Sequence, residues 1–374
     1  MIQKSGQRAI PLELREHIPS GCAVSGIMSE SGQRFGGRMV ADSIATMRFR
    51  ANGLGGGFAG YGIYPQNRDH YALHLMYDND SSKETTERLL GKTFRIWREE
   101  PIPTAHVQFI KNRPILWRYF VTPKDETKER YYDMTDDDIA IMTVMDINRS
   151  IEGAFVASSG KNMGVFKGVG YPEDIAAFYK IDEYQAHIWT SHGRFPTNTP
   201  GWWGGAHPFG LLNWTIVHNG EISSYGINRR YLEGFGYYCM LQTDTEAITY
   251  LFDLLVRRHR LPLDIACTAL AAPFWSDIDR MPQGRKELLE TIRITYGPAL
   301  VNGPFSIIVG HSRGMIGLND RVKLRPMVAA RKGDLVFIAS EEAAIRAVCP
   351  DPESVWPAEA GKPVVGQLRQ DVSV

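Results

Sequence analysis

"SHGRFPTNTPGWWGGAHPFGLLNWTIVHNGE" spans residues 191–221 and holds three histidines, one arginine, three threonines and three asparagines. "HIWTSHGRF" (187–195) and "NWTIVHNGE" (213–221) read as strands that feed loops. "PTNTPGWWGG" (196–205) is rich in Gly and Pro, as a loop that closes over a bound molecule would be. Hydrogen-bonding side chains at strand ends and in loops are how rigid scaffolds present binding residues. The stretch contains no cysteine, so a thiol nucleophile would have to come from elsewhere in the chain.

The 374-residue chain suffices for one large domain or two ordinary ones. With 43% hydrophobic and 22% charged residues it can bury a real core. Lys+Arg and Asp+Glu are both 42, and no polybasic run occurs, which argues against a nucleic-acid partner. No run approaches the roughly 18 apolar residues of a membrane span, and the N-terminus lacks the apolar core of a signal peptide. A cytoplasmic location is expected. Cys22, Cys239, Cys267 and Cys349 form no C-x-x-C pair, so neither a zinc site nor a disulfide framework is expected.

Outward from the opening stretch, "GRMVADSIATMRFR" (37–50) has helical spacing through Met39, Ile44 and Met47. "YALHLMYD" (71–78) alternates as a strand, and "SSKETTERLLGK" (81–92) reads as a capped helix. Residues from about 66 to 147 carry few motifs and are read as an insertion. "GAFVASSGKNMGVFKG" (153–168) reads as a hairpin. "TDTEAITYLFDLLVRRH" (243–259) is the clearest helix, with Thr243 and Glu246 at capping-box spacing. "PFSIIVGHS" (304–312) and "PMVAARKGDLVFIAS" (326–340) read as strands, the latter around a Lys-Gly-Asp turn, and "EEAAIRAV" (341–348) as a helix. Strands cluster between helices rather than alternate with them, which favours α+β layers over a doubly wound sheet.

"HGRFPTN…W…AHPF…HNGEI" resembles the glutaminase domain of glutamate synthase, a class II glutamine amidotransferase. The likeness continues, in the family's order, through "CAVSG" (22–26), "MRFRANGLGGGFAGYGIY" (47–64), "TDTEAITYL" (243–251) and "NDRVKLRP…ASEEAA" (319–344). It covers most of residues 22–345. The resemblance implies the N-terminal-nucleophile hydrolase fold, a four-layer αββα sandwich over residues 22–374. It also implies Cys22 as nucleophile. That chemistry has a physical logic: an α-amine of pKa roughly 7.7–8.0 can take a proton from its own residue's thiol and return it. Residues 1–21 must then be a leader removed after Gly21. Ala23 stands where the family usually has glycine.

By the same resemblance Asn219 and Gly220 supply the oxyanion donors. An Asn-Gly pair alone would be read as a hairpin turn. Arg194 fits the glutamine α-carboxylate through its guanidinium fork, Asp244 the α-ammonium, and Thr197 adds a hydroxyl. Asp244 also suits the first turn of a helix. His192, His207 and His218 show no metal-triad spacing and are read as structural. Gly55–Gly57 lacks the pattern of a phosphate loop and is read as a tight turn. Asp320 and Arg325 are read as a structural ion-pair region near the site.

The expected activity is hydrolysis of L-glutamine to glutamate and ammonia, the ammonia passing to a separate flavin-dependent synthase subunit. No cofactor or metal is expected in this chain; FMN or an iron–sulfur cluster would belong to that partner. No nucleic-acid or membrane partner is expected. The alternatives are an amidotransferase subunit serving an amine, sugar or phosphoribosyl acceptor, or a non-catalytic glutamine-binding regulatory subunit that keeps its leader.

Overall fold

The computed structural model describes residues 21–196, 201–370 and 372. Two antiparallel sheets lie face to face. The seven-stranded sheet runs, in spatial order, Ser354–Pro357, Val328–Lys332, Leu335–Ala339, Ala23–Ser29, Ile188–Gly193, Gly56–Tyr61 and Met163–Gly168. The five-stranded sheet runs Phe209–Leu211, Trp214–Gly220, Phe305–His311, Gly314–Asn319 and Val364–Gln367. Side-chain alternation sets the layers. Val217, Ile308 and Met315 pack toward the seven-stranded sheet, in one core with Val24 and Ile27. Ile216, Ile307 and Val309 turn the other way, onto Ala247, Ile248 and Leu251 of the helix Asp244–Phe252. Gly26 lets the sheets approach: a side chain there would strike Met315 and Ile308. The helices Arg38–Ala45, Pro172–Phe178 and Glu342–Arg346 cover the outer face of the seven-stranded sheet. The order is helix, sheet, sheet, helix: an αββα sandwich of the N-terminal-nucleophile hydrolase type.

Three strands of the expected insertion and one beyond it build a third, four-stranded sheet ordered Phe94–Pro101, Ile115–Pro123, Tyr71–Tyr77 and Ala154–Ser158. Helices Asp80–Thr93 and Asp136–Ser150 pack on it. Each has a built start: Asn79 accepts the Ser82 N–H at 2.9 Å, and Thr135 and Asp138 form a full capping box. Tyr71, Leu73 and Ile139 share one core with Leu211 and Ile248, so this sheet is continuous with the sandwich.

Three local expectations are corrected. The strands read as a hairpin over 153–168 exist but do not pair; Ala154–Ser158 joins Tyr71–Tyr77, and Met163–Gly168 joins Gly56–Tyr61. The connection is held by a neighbouring turn. Ser159 Oγ accepts the Leu212 N–H at 3.0 Å, Asn213 Oδ1 accepts the Lys161 N–H at 2.9 Å, and Gly160 lies against the Leu212 carbonyl with no space for a side chain. The chain therefore steps from one sheet to the other. At the helix Asp244–Phe252, Thr243 caps as expected, but Glu246 does not close a box; its carboxylate accepts the N–H groups of Met240 (3.1 Å) and Leu241 (2.8 Å). The Gly55–Gly57 run is not all turn, since Gly56 opens the strand Gly56–Tyr61.

Candidate active site

Register brings the site together. The ladder that pairs Ala23 with Gly193 places the next residues, Cys22 and Arg194, side by side where both strands end. The Phe195 N–H donates to Cys22 Sγ at 3.3 Å. Burial pushes the Cys22 thiol above its ordinary pKa, and the Phe195 hydrogen bond and the Arg194 and Arg325 charges oppose it. Cys22, Arg194, Gly220 and Asp244 line one cavity of about 300 Å³, together with Tyr225 and Gln242. A compact amino acid matches that size.

Asp244 is prepared as an anion. Burial pushes its carboxyl up, but the His218 ring (Nδ1 at 3.5 Å), the Ile222 N–H (2.9 Å) and the Thr245 hydroxyl (3.2 Å) outweigh burial and hold it below the usual range. Arg194 is buried, and burial lowers its proton affinity. The cavity wall thus presents both a cationic and an anionic side chain. Gly220 has φ +155°, and a side chain there would strike the Pro304 carbonyl, so the conformation requires glycine.

Asn219 is fully buried, and neither its Oδ1 nor its Nδ2 has a hydrogen-bond partner. Such an amide is costly unless something pairs with it. It does not line the cavity. It faces Gly21: a methyl built on Gly21 would stand 3.8 Å from Asn219 Oδ1. Thr197 lies outside the described residues.

His192, His207 and His218 form a buried cluster. His192 Nε2 donates to the His218 carbonyl at 2.9 Å, and its ring stacks on His207 with centroids 4.1 Å apart. Thr245 Oγ1 donates to Asp244, so it accepts from His207 Nε2 (2.7 Å) and His218 Nδ1 (3.0 Å). Burial pushes His192 down to about 3 and His207 well below its usual range. His207 and His218 reach the cavity wall, closer to the chemistry than a purely structural reading expects.

Two arginines complete the surroundings. Arg50 Nε donates to the Cys22 carbonyl at 3.2 Å, and its Nη1 meets Glu341 at 2.8 Å. No local pattern in "MRFRANG" marks Arg50, because its partner is 28 residues away. Arg325 does not form the expected ion pair with Asp320. The Asp320 carboxylate instead accepts the N–H groups of Phe305, Val322 and Leu324, closing a turn that sends Arg325 toward Gly21. Among the described residues no group of three metal-ligating side chains occurs, and no helix is long and apolar enough to cross a membrane.

Cys22, Arg194, Gly220 and Asp244 thus share one cavity, and the chain is similar to several known proteins. A family model described as "Glutamine amidotransferases class-II" matches residues 64–235. An uncharacterised protein of Archaeoglobus fulgidus is 48% identical over 97% of this chain and 96% of its own length. A protein of Methanothermobacter thermautotrophicus, provisionally named a glutamine amidotransferase, is 26% identical over 87% of this chain and 93% of its own length. The large chain of glutamate synthase [NADPH] from Bacillus subtilis is 27% identical over 50% of this chain and 13% of its own. The match makes residues 64–235 a class II glutamine amidotransferase segment of this chain.

Proposed function

We propose that this chain, once it begins at Cys22, hydrolyses the side-chain amide of L-glutamine. The observation that carries the reading is the convergence of Cys22, Gly220, Arg194 and Asp244 on one small cavity whose wall holds both a cation and an anion. Arg194 takes the α-carboxylate and Asp244 the α-ammonium, which places the side-chain amide at the thiol. As sulfur attacks the amide carbon, the freed α-amine takes the thiol proton and returns it to the departing nitrogen, and water then cleaves the thioester, releasing glutamate and restoring the thiol. The Gly220 N–H and the Asn219 amide steady the negative oxygen. Gly21 lies against Asn219 in the uncut chain, so removing the leader frees the base and uncovers an oxyanion donor in one event. Thr197 is proposed to add a substrate hydroxyl contact.

The ammonia is proposed to pass to a separate synthase subunit that carries its own flavin and iron–sulfur cluster. Similarity to the glutamate synthase large chain supports that acceptor. Similarity to an amidophosphoribosyltransferase of Methanocaldococcus jannaschii, 25% identical over 58% of this chain, supports a phosphoribosyl acceptor instead. Intact mass followed by a glutaminase assay tests the core of the reading. Protein lacking residues 1–21 is expected to release ammonia from glutamine, and full activity with the leader retained overturns the amine mechanism. Co-purification tests the acceptor: a flavoprotein that raises the glutaminase rate supports the synthase, and its absence favours the other acceptor.

A further inference from the structure

The Gly21–Cys22 junction sits between two guanidinium groups. A methyl built on Gly21 would stand 3.5 Å from Nη1 of Arg325 and 3.5 Å from Nη2 of Arg50. The two cations are not equally compensated. Arg50 is tied to the Cys22 carbonyl and paired with Glu341, whose side chain is 44% exposed. Arg325 makes no ion pair among the described residues, and its Nε is buried without a hydrogen-bond partner. The other charged or titratable groups around Cys22 are Arg194, beside the sulfur, Asp244 and Glu221 in the same cavity, and the His207 and His218 rings in its wall; Arg194 and Asp244 act on the thiol in opposite directions. Arg325 is thus the least neutralised charge at the place where the leader leaves and the new amine appears.

We infer that Arg325 sets the proton affinity of the α-amine of Cys22, its fixed positive charge disfavouring the ammonium form so that the amine is a free base near neutral pH. The inference rests on the proposed amine mechanism and adds a residue to it. A like charge within about 4–6 Å shifts a titrating group by roughly 1–3 units where solvent does not screen it. The sign follows. Only the neutral amine can accept the thiol proton, and a neighbouring cation lowers the pH at which that form appears. Arg325 gives up no proton and contacts no reacting atom; it acts through the amine.

The test compares wild type, Arg325→Gln and Arg325→Lys, each with a site-specific protease site in place of residues 15–21, cut to leave Cys22 first. The acid limb of kcat/KM against pH is expected to move up by about 1 unit in Arg325→Gln, with the high-pH plateau kept, and to return in Arg325→Lys. A limb that stays put in Arg325→Gln overturns the inference. So does an equal loss at every pH, which would make Arg325 merely structural. Acylation of the α-amine measured against pH in the same proteins reads its proton affinity without turnover, so poor activity does not hide the answer. Wild type that hydrolyses no glutamine at any pH, or hydrolyses it equally after Cys22→Ala, removes the proposed function itself.

Discussion

At the scale of single residues, the proposed function divides the site into groups that would act on the reacting amide and groups that would hold the substrate's ends. Cys22→Ala is expected to abolish glutamine hydrolysis, read as ammonia release by the mature protein. Asn219→Ala should lower kcat by roughly 10²–10³-fold, the usual cost of one oxyanion donor, with little change in KM. An unchanged kcat would remove Asn219 from the mechanism. Arg194→Lys keeps a charge but loses the planar fork, so KM should rise. Asp244→Asn should also raise KM, and the rise should vanish with a glutamine analogue that lacks the α-amino group. If Asp244→Asn binds glutamine like wild type, Asp244 serves only its helix and the backbone of Ile222.

At the scale of elements, Glu246 shows how a helix positions a pocket. It is fully buried, and burial pushes its carboxyl up to about 7 despite hydrogen bonds from the Leu241 N–H, the Tyr250 hydroxyl and the Met240 N–H. These bonds clamp the segment leading into Gln242, Thr243 and Asp244, all of which line the cavity. Glu246→Ala leaves two backbone N–H groups and one phenol unpaired. Unfolding by denaturant should show a loss of about 2–4 kcal/mol, and KM for glutamine should rise as Asp244 loses its backing. A stable variant with unaltered KM would show that the segment is held by other contacts. Lys167 ties the strand Met163–Gly168 to the loop at Gly204: it is buried, its Nζ donates to the Gly204 carbonyl at 2.9 Å, and burial lowers it to about 7.

At the scale of the whole molecule, buried neutral histidines tie stability to pH. Burial brings His74 and His192 down to about 3 and His187 and His311 to about 4. A histidine whose folded pKa is depressed stabilises fully above its ordinary value of 6.5. That contribution is lost as pH falls from 6.5 toward the folded pKa, because the unfolded chain binds the proton first. Each such group should steepen the fall by about 1.4 kcal/mol per pH unit in that window. His74→Gln should remove one such step between pH 6 and 4, read from urea midpoints at several pH values. An unchanged slope would mean that His74 takes up a proton without unfolding.

Much of this was legible in the chain itself. The period-2 strands at 187–195 and 213–221, the capped helix at 243 and the ordered motifs that contain Cys22, Arg194, Asn219 and Asp244 are local signals. They arise because backbone geometry, caps and strand ends constrain nearby residues first. What the sequence determined by itself is therefore the kind of layers and most of the groups at the cavity. Tertiary structure alone decided which strands pair, so 153–168 spans two sheets instead of folding on itself. It alone drew Arg50, from 28 residues away, and Arg325, from some 300, to the Gly21–Cys22 junction. The reason is physical: a guanidinium at the end of a long side chain is placed by what packs beneath it, and no local period records that.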